Sequence, residues 1–79
     1  MSQTEEPKKK ALQELLSLLE ELKRIGINKV EIYERPEGVS VEVGNVEYIY
    51  DALDIDEVQI ELVSHGYIVH RVGNVLHVE

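Results

Sequence analysis

The sequence predicts an α+β fold: a helix, a three-stranded antiparallel meander, a second short helix and a C-terminal β-hairpin (α-β-β-β-α-β-β). Both helices pack on one sheet face. Three observations predict it. Leu12, Leu15, Leu16, Leu19 and Leu22 recur with the i, i+3, i+4, i+7 spacing of a helix with one buried face. Residues 29–50 hold three runs of alternating apolar and polar residues, separated by turn residues. Residues 54–79 read as a capped helix, a glycine stop, a strand, a Gly-Asn turn and a last strand.

A chain of 79 residues makes one small domain, 1–79. A chain this short hides about 60% of the surface its unfolded form exposes. One such core supplies roughly 3–5 kcal/mol. Cysteine is absent, so there is neither a disulfide nor a thiolate metal cage. Stability therefore comes from local propensity, tight turns or burial against a second copy.

In chain order, residues 1–6 are polar and read as a disordered N-terminus. Thr4 or Glu6 can cap the first helix, with Pro7 in its first turn. The helix runs to about Ile25, and Gly26 stops it. Glu20 and Arg24 are spaced for an i, i+4 ion pair. Lys29 to Glu34 alternates and is the first strand. Arg35-Pro36-Glu37-Gly38 fits a type I turn. Val39 to Val43 is the second strand, Gly44-Asn45 a Gly-first hairpin loop, and Val46 to Tyr50 the third strand.

Residues 58–62 satisfy two periods, because Val-Gln-Ile-Glu-Leu also alternates as a strand would. Helix is favoured. Asp54 with Glu57 makes an Asp form of the capping box, Leu53 can staple onto Val58, and Gly66 supplies the stop. The last hairpin pairs Val72 with Val75 across Gly73-Asn74.

Register follows from these turns, since a slip of one residue turns every side chain over. Pairing Glu34 with Val39 and Val43 with Val46 gives inward rows Val30, Val43, Val46 and Ile32, Val41, Tyr48. The other face carries Lys29, Glu31, Tyr33, Ser40, Glu42, Glu47 and Ile49. Tyr48 and Tyr50 read as core with hydroxyls at the rim. Val-Gly-Asn-Val occurs at 43–46 and at 72–75, so residues 9–50 and 54–79 form a possible internal repeat. Two uses of one good hairpin turn explain the same match.

Sixteen acidic against eight basic residues give a net charge of -8. That balance opposes direct contact with nucleic-acid phosphates and with anionic membranes, and favours basic partners. No apolar run approaches a membrane span and no signal peptide is visible, so a cytoplasmic setting is expected. A composition led by Val, Ile, Leu and Glu, without Trp or Phe, suits a thermostable or an idealised sequence.

Three constellations could carry chemistry. Glu31, Glu42 and Glu47 fall side by side as an acidic row, where like charges cost stability unless a cation, a basic partner or the Lys8-Lys9-Lys10 run compensates. His70 and His77 fall opposite each other and could share a metal, given a third ligand from Glu79 or His65. Otherwise they are surface histidines on a strand. Leu18, Leu22 and Ile25 widen the helix face, and with outward Tyr33 and Ile49 they are candidate interface residues. The bland reading packs that helix face on the second helix. No phosphate loop, nucleophile motif or acid pair in an apolar setting is present, so no enzyme and no cofactor is expected.

Helix, three antiparallel strands, helix resembles the order of a double-stranded-RNA-binding domain. The chain departs from it where such domains present lysines, since it has Asp54, Asp56 and Glu57 at the second helix. The terminal helix and hairpin resemble part of a winged helix, without the three-helix bundle. The function expected is a non-enzymatic acidic interaction module, partnered by itself as a homodimer. The alternatives are an acidic nucleic-acid mimic that inhibits a basic nucleic-acid-binding protein, and an engineered scaffold without natural ligand.

Overall fold

A computed structural model describes residues 6–79. The elements are α1 (Glu6–Arg24), β1 (Val30–Arg35), β2 (Gly38–Val43), β3 (Val46–Asp51), α2 (Ile55–Ser64), β4 (Val69–Val72) and β5 (Val75–Val78). This is the expected α-β-β-β-α-β-β order. The expected disorder of residues 1–6 and the Thr4 cap fall outside the described residues, except that Glu6 already opens α1. Among the described residues no helix is long and apolar enough to cross a membrane.

The strands form one antiparallel sheet in the order β3-β2-β1-β5-β4. The C-terminal hairpin does not stand apart. β5 lies against β1, setting Ile32 opposite Leu76 and Val30 opposite Val78, so β1 is the central strand. The expected pairs Glu34–Val39, Val43–Val46 and Val72–Val75 are all present. Extended across five strands, the inward rows are Val46-Val43-Val30-Val78-Val69 and Tyr48-Val41-Ile32-Leu76-Arg71.

Both helices cover that face. α1 comes nearest β3 and α2 nearest β4. Leu15, Leu19 and Leu22 of α1 and Ile55, Val58 and Leu62 of α2 close the core over Val30, Ile32, Val39, Val41, Leu76 and Val78. Each fully buried aliphatic side chain contributes about 1.5–3 kcal/mol. The two helices end alike. Ile27 N–H donates to the Leu22 carbonyl at 2.8 Å and Tyr67 N–H to the Leu62 carbonyl at 3.0 Å, with Gly26 and Gly66 at positive φ between.

The two-period segment 58–62 is helical. A strand would put Val58, Ile60 and Leu62 on one face. Val58 and Leu62 are buried, but Ile60 is 67% exposed. Asp54 Oδ1 accepts the Asp56 N–H at 2.9 Å. Two local contacts differ from expectation. Glu57 does not complete a capping box but pairs with Lys8 Nζ at 2.9 Å, tying α2 to α1. Arg24 pairs with Glu21, not Glu20, at 3.3 Å. Tyr48, expected in the core, is 37% exposed, because its strand is the sheet edge and only part of its inner side lies under α1.

Candidate interaction surfaces

The edge strand β3 and the sheet face opposite the helices are left open by this architecture, and large apolar side chains are also exposed on α2 (Ile60, Val63) and at β4 (Ile68, Val72). β3 alternates Val46-Glu47-Tyr48-Ile49-Tyr50-Asp51, a run of aromatic and branched residues suited to a pleated strand. The tight Gly44-Asn45 turn, with Gly44 at φ 60°, fixes its phase. Closing the hairpin on Val43–Val46 turns the backbone groups of Val46, Tyr48 and Tyr50 towards β2. Those of Glu47, Ile49 and Asp51 point away from the sheet. Val46 is 50% and Ile49 53% exposed, on opposite sides of the strand.

Unpaired edges in native proteins are blunted by shortness, lysine, proline, bulges or inward charges. The other edge, β4, has only four residues. It also carries Arg71, whose guanidinium bonds Asp56 and Gln59 of α2, while its Nε donates to the Gly73 carbonyl at 3.0 Å. β3 is six residues long and holds no Lys or Pro. Its mid-strand charge, Glu47, is drawn back across β2 to Arg35 at 3.3 Å.

The proposed interface residues divide between these surfaces. Leu22 is 7% exposed and belongs to the core, so it offers nothing to a partner. Leu18 is half-buried and Ile25 is 65% exposed. By helical spacing both share the α1 flank with Glu14. That flank overlooks β3, where the Glu14 charge, after burial, helps raise the pKa of the Tyr50 phenol. Ile49 is on the edge itself. Tyr33 lies mid-sheet in the outer row Ile49-Ser40-Tyr33-Val75-Val72. Val46 and Tyr48 join Ile49 in the edge patch, which sequence reasoning missed because it required the strand order.

The acidic row is real in register: Glu47 faces Glu42, and Glu42 faces Glu31. β5 and β4 extend it to Glu47-Glu42-Glu31-His77-His70. The expected cost of like charges is offset within the sheet. Glu31 accepts the Tyr33 hydroxyl at 2.8 Å, and its other oxygen lies 3.4 Å from His77 Nδ1. The Glu31 hydrogen bond, then burial and the Glu31 and Glu42 charges, raise the Tyr33 pKa above the ordinary value. Arg35 takes Glu47.

His70 and His77 stand as expected, ring centroids 6.4 Å apart. Neither proposed third ligand joins them. His65 caps α2, its Nδ1 2.9 Å from the Glu61 carbonyl oxygen. Among the described residues no group of three or more His, Cys, Asp or Glu could hold a metal ion. A cleft of about 30 Å³ between the end of α1 and the β1–β5 pair, lined by Leu19, Lys23, Ile27, Val30, Tyr67 and Val78, has room for about one water molecule. Wider clefts of about 330–400 Å³ lie open to solvent, one of them beside the acidic row and lined by Glu31, Glu42 and His77. No family model, curated protein or solved structure matches the chain.

Proposed function

We propose that this protein is a non-enzymatic interaction module that works as a homodimer and docks through the β3 side of the domain. The observation that carries the reading is the unguarded edge: Val46, Tyr48 and Ile49 are all exposed on one unpaired strand. Leu18 and Ile25 on the α1 flank continue that surface. A core this small gains from burial against a second copy. Light scattering on the full chain across micromolar concentrations tests it. A dimer mass is expected, and it should persist or strengthen as salt rises, because each copy carries a charge of -8. A monomeric mass throughout refutes it.

A second reading, an acidic mimic that binds a basic nucleic-acid-binding partner, draws on the in-register Glu47-Glu42-Glu31 row. Glu31 and Glu47 already have partners in the sheet, which leaves Glu42 as the member without an ion pair among the described residues. Binding of this kind must weaken as salt rises, the opposite trend from self-association.

A further inference from the structure

We infer that the docking element is β3 of one copy paired antiparallel with β3 of a second, about a two-fold axis through Tyr48, making one continuous ten-stranded sheet. The inference rests on the homodimer reading and gives it a register.

The first constraint is hydrogen-bond phase, which antiparallel pairings centred on Glu47, Tyr48 or Ile49 all meet. The backbone groups of Glu47 and Ile49 point off the sheet, while those of Tyr48 turn towards β2. An antiparallel mate centred on Tyr48 sets Glu47 opposite the partner's Ile49, and each such pair exchanges both bonds. The second is charge. A two-fold keeps the helices of both copies on one face, so only centres that match like faces compete. Centring on Glu47 opposes two glutamates directly, and centring on Ile49 sets Glu47 against the partner's Asp51. Both are destabilising across strands. Centring on Tyr48 places no like charges directly opposite: Val46 meets the partner's Tyr50, and Asp51 the partner's Asn45. Arg35 holds Glu47 back from the seam.

The third argument is the layer above. α1 comes nearest β3, so the two α1 helices straddle the seam. Packed helices lie about 8–10 Å apart, roughly two strand spacings, so the two helices meet if each α1 axis lies about half a spacing inside its own β3. The flanks that meet carry Leu18 and Ile25, together with Glu14, whose charge lies towards Tyr50 of its own strand. Exposed apolar residues on the helix and on the edge are thus covered by one contact.

The chain has no cysteine, so single cysteines report the register. Across a non-hydrogen-bonded pair, Cα atoms lie about 4.5 Å apart, within reach of a disulfide. In this register Tyr48→Cys bridges to its mate in a glutathione redox buffer. Ile49→Cys faces the partner's Glu47 and has its own mate diagonally, about 7–8 Å away. Val72→Cys sits on the opposite edge. The expected result is a dimer by light scattering, with Tyr48→Cys cross-linking at least about tenfold faster than either control. In a cysteine-free background, Ile49→Glu, which faces the partner's Glu47 in this register, should raise the dimer Kd at least about tenfold with unchanged circular dichroism, and Val72→Glu should not. A dimer in which Ile49→Cys or Val72→Cys links as fast as Tyr48→Cys, or which ignores Ile49→Glu, overturns this pairing and leaves the homodimer standing. A monomer at all concentrations overturns both.

Discussion

Gly38→Ala tests how β3 is held. Gly38 opens β2 and faces Asp51 at the end of β3. A Cβ built there falls 2.1 Å from the Tyr50 carbonyl oxygen, 2.9 Å from Asp51 Cα and 3.1 Å from the Tyr50 carbonyl carbon. All three are backbone atoms, so no rotamer change relieves the clash. The end of β3 must move by about 1 Å to restore an ordinary carbon–oxygen contact of about 3.3 Å. Such overpacking costs about 1–3 kcal/mol. The shift also strains the neighbouring Val39–Tyr50 pair and the Ala52 N–H to Glu37 carbonyl bond of 2.7 Å. One or two weakened hydrogen bonds add about 1 kcal/mol each, for a total of about 2–5 kcal/mol. A domain of this length has about 4–12 kcal/mol in all. With an m-value of about 1 kcal/mol per molar, the urea midpoint should fall by roughly 2–5 M or folding should be lost. Urea unfolding followed by circular dichroism measures it. Gly26→Ala is the comparison: nothing lies within 4 Å of its Cβ, and only its φ of 96° resists, at about 1–2 kcal/mol. A Gly38→Ala midpoint within roughly 0.5 M of the parent, or above that of Gly26→Ala, refutes the close-approach argument.

Two further outcomes follow from single groups. Ser40 is fully buried on the outer face, and its hydroxyl finds no hydrogen-bond partner among the described residues. Ser40→Ala should stabilise by about 1 kcal/mol, raising Tm by about 4–8 °C in calorimetry, and a lowered Tm refutes this. The pKa values of Tyr33, Tyr50 and Tyr67 are all raised, the first chiefly by its bond to Glu31 and the others chiefly by burial. The folded chain therefore holds these protons more tightly than the unfolded chain does. The stability this confers is complete below pH 10 or so and is lost as pH rises through the folded values. Ultraviolet titration of the folded protein should show phenolate forming above the free-tyrosine midpoint, and Tyr33→Phe should remove one of the late steps. Complete titration of all tyrosines at the free value refutes it.

Most of the fold was legible because it is written in local signals. The leucine spacing of α1, the alternation of β1 to β3 and the two Gly-Asn turns each constrain a few neighbouring residues, and register follows from turn length. The competition over 58–62 was decided by position: Leu53, Ile55, Val58 and Leu62 all reach the core together only as a helix entered from Asp54. Leu22 misled because helical spacing shows which residues share a face, not how wide a strip the sheet will cover. The ion pairs were least legible. Arg24 chose Glu21, Glu57 chose Lys8, and Arg35 reached over a strand to Glu47. Exposed pairs differ by less than about 1 kcal/mol, so spacing alone does not rank them.

The candidate site was hidden for a different reason. Val46, Tyr48 and Ile49 look in sequence like any half-buried strand, and Tyr48 looks like core. What exposes them is the pairing of β5 with β1, more than 40 residues apart in the chain. Had the C-terminal hairpin added to β3 instead, β3 would be interior and β1 the edge, with Glu31 and Glu34 to guard it. The observed order therefore assigns the charged strand to the centre and the apolar one to the rim, the reverse of how an edge is normally protected. β1 can take that place because Tyr33, His77 and Arg35 absorb its own and its neighbours' carboxylates on the open face. The same contacts that let the acidic row sit inside the sheet thus draw the mid-strand charge of β3 away from its free side. That links the two surfaces. Arg35→Gln should release Glu47 towards the edge and weaken the dimer without touching any residue at the seam. If light scattering shows the dimer unchanged in that variant, the edge does not depend on the withdrawal of Glu47, and the charge argument for the Tyr48-centred register fails.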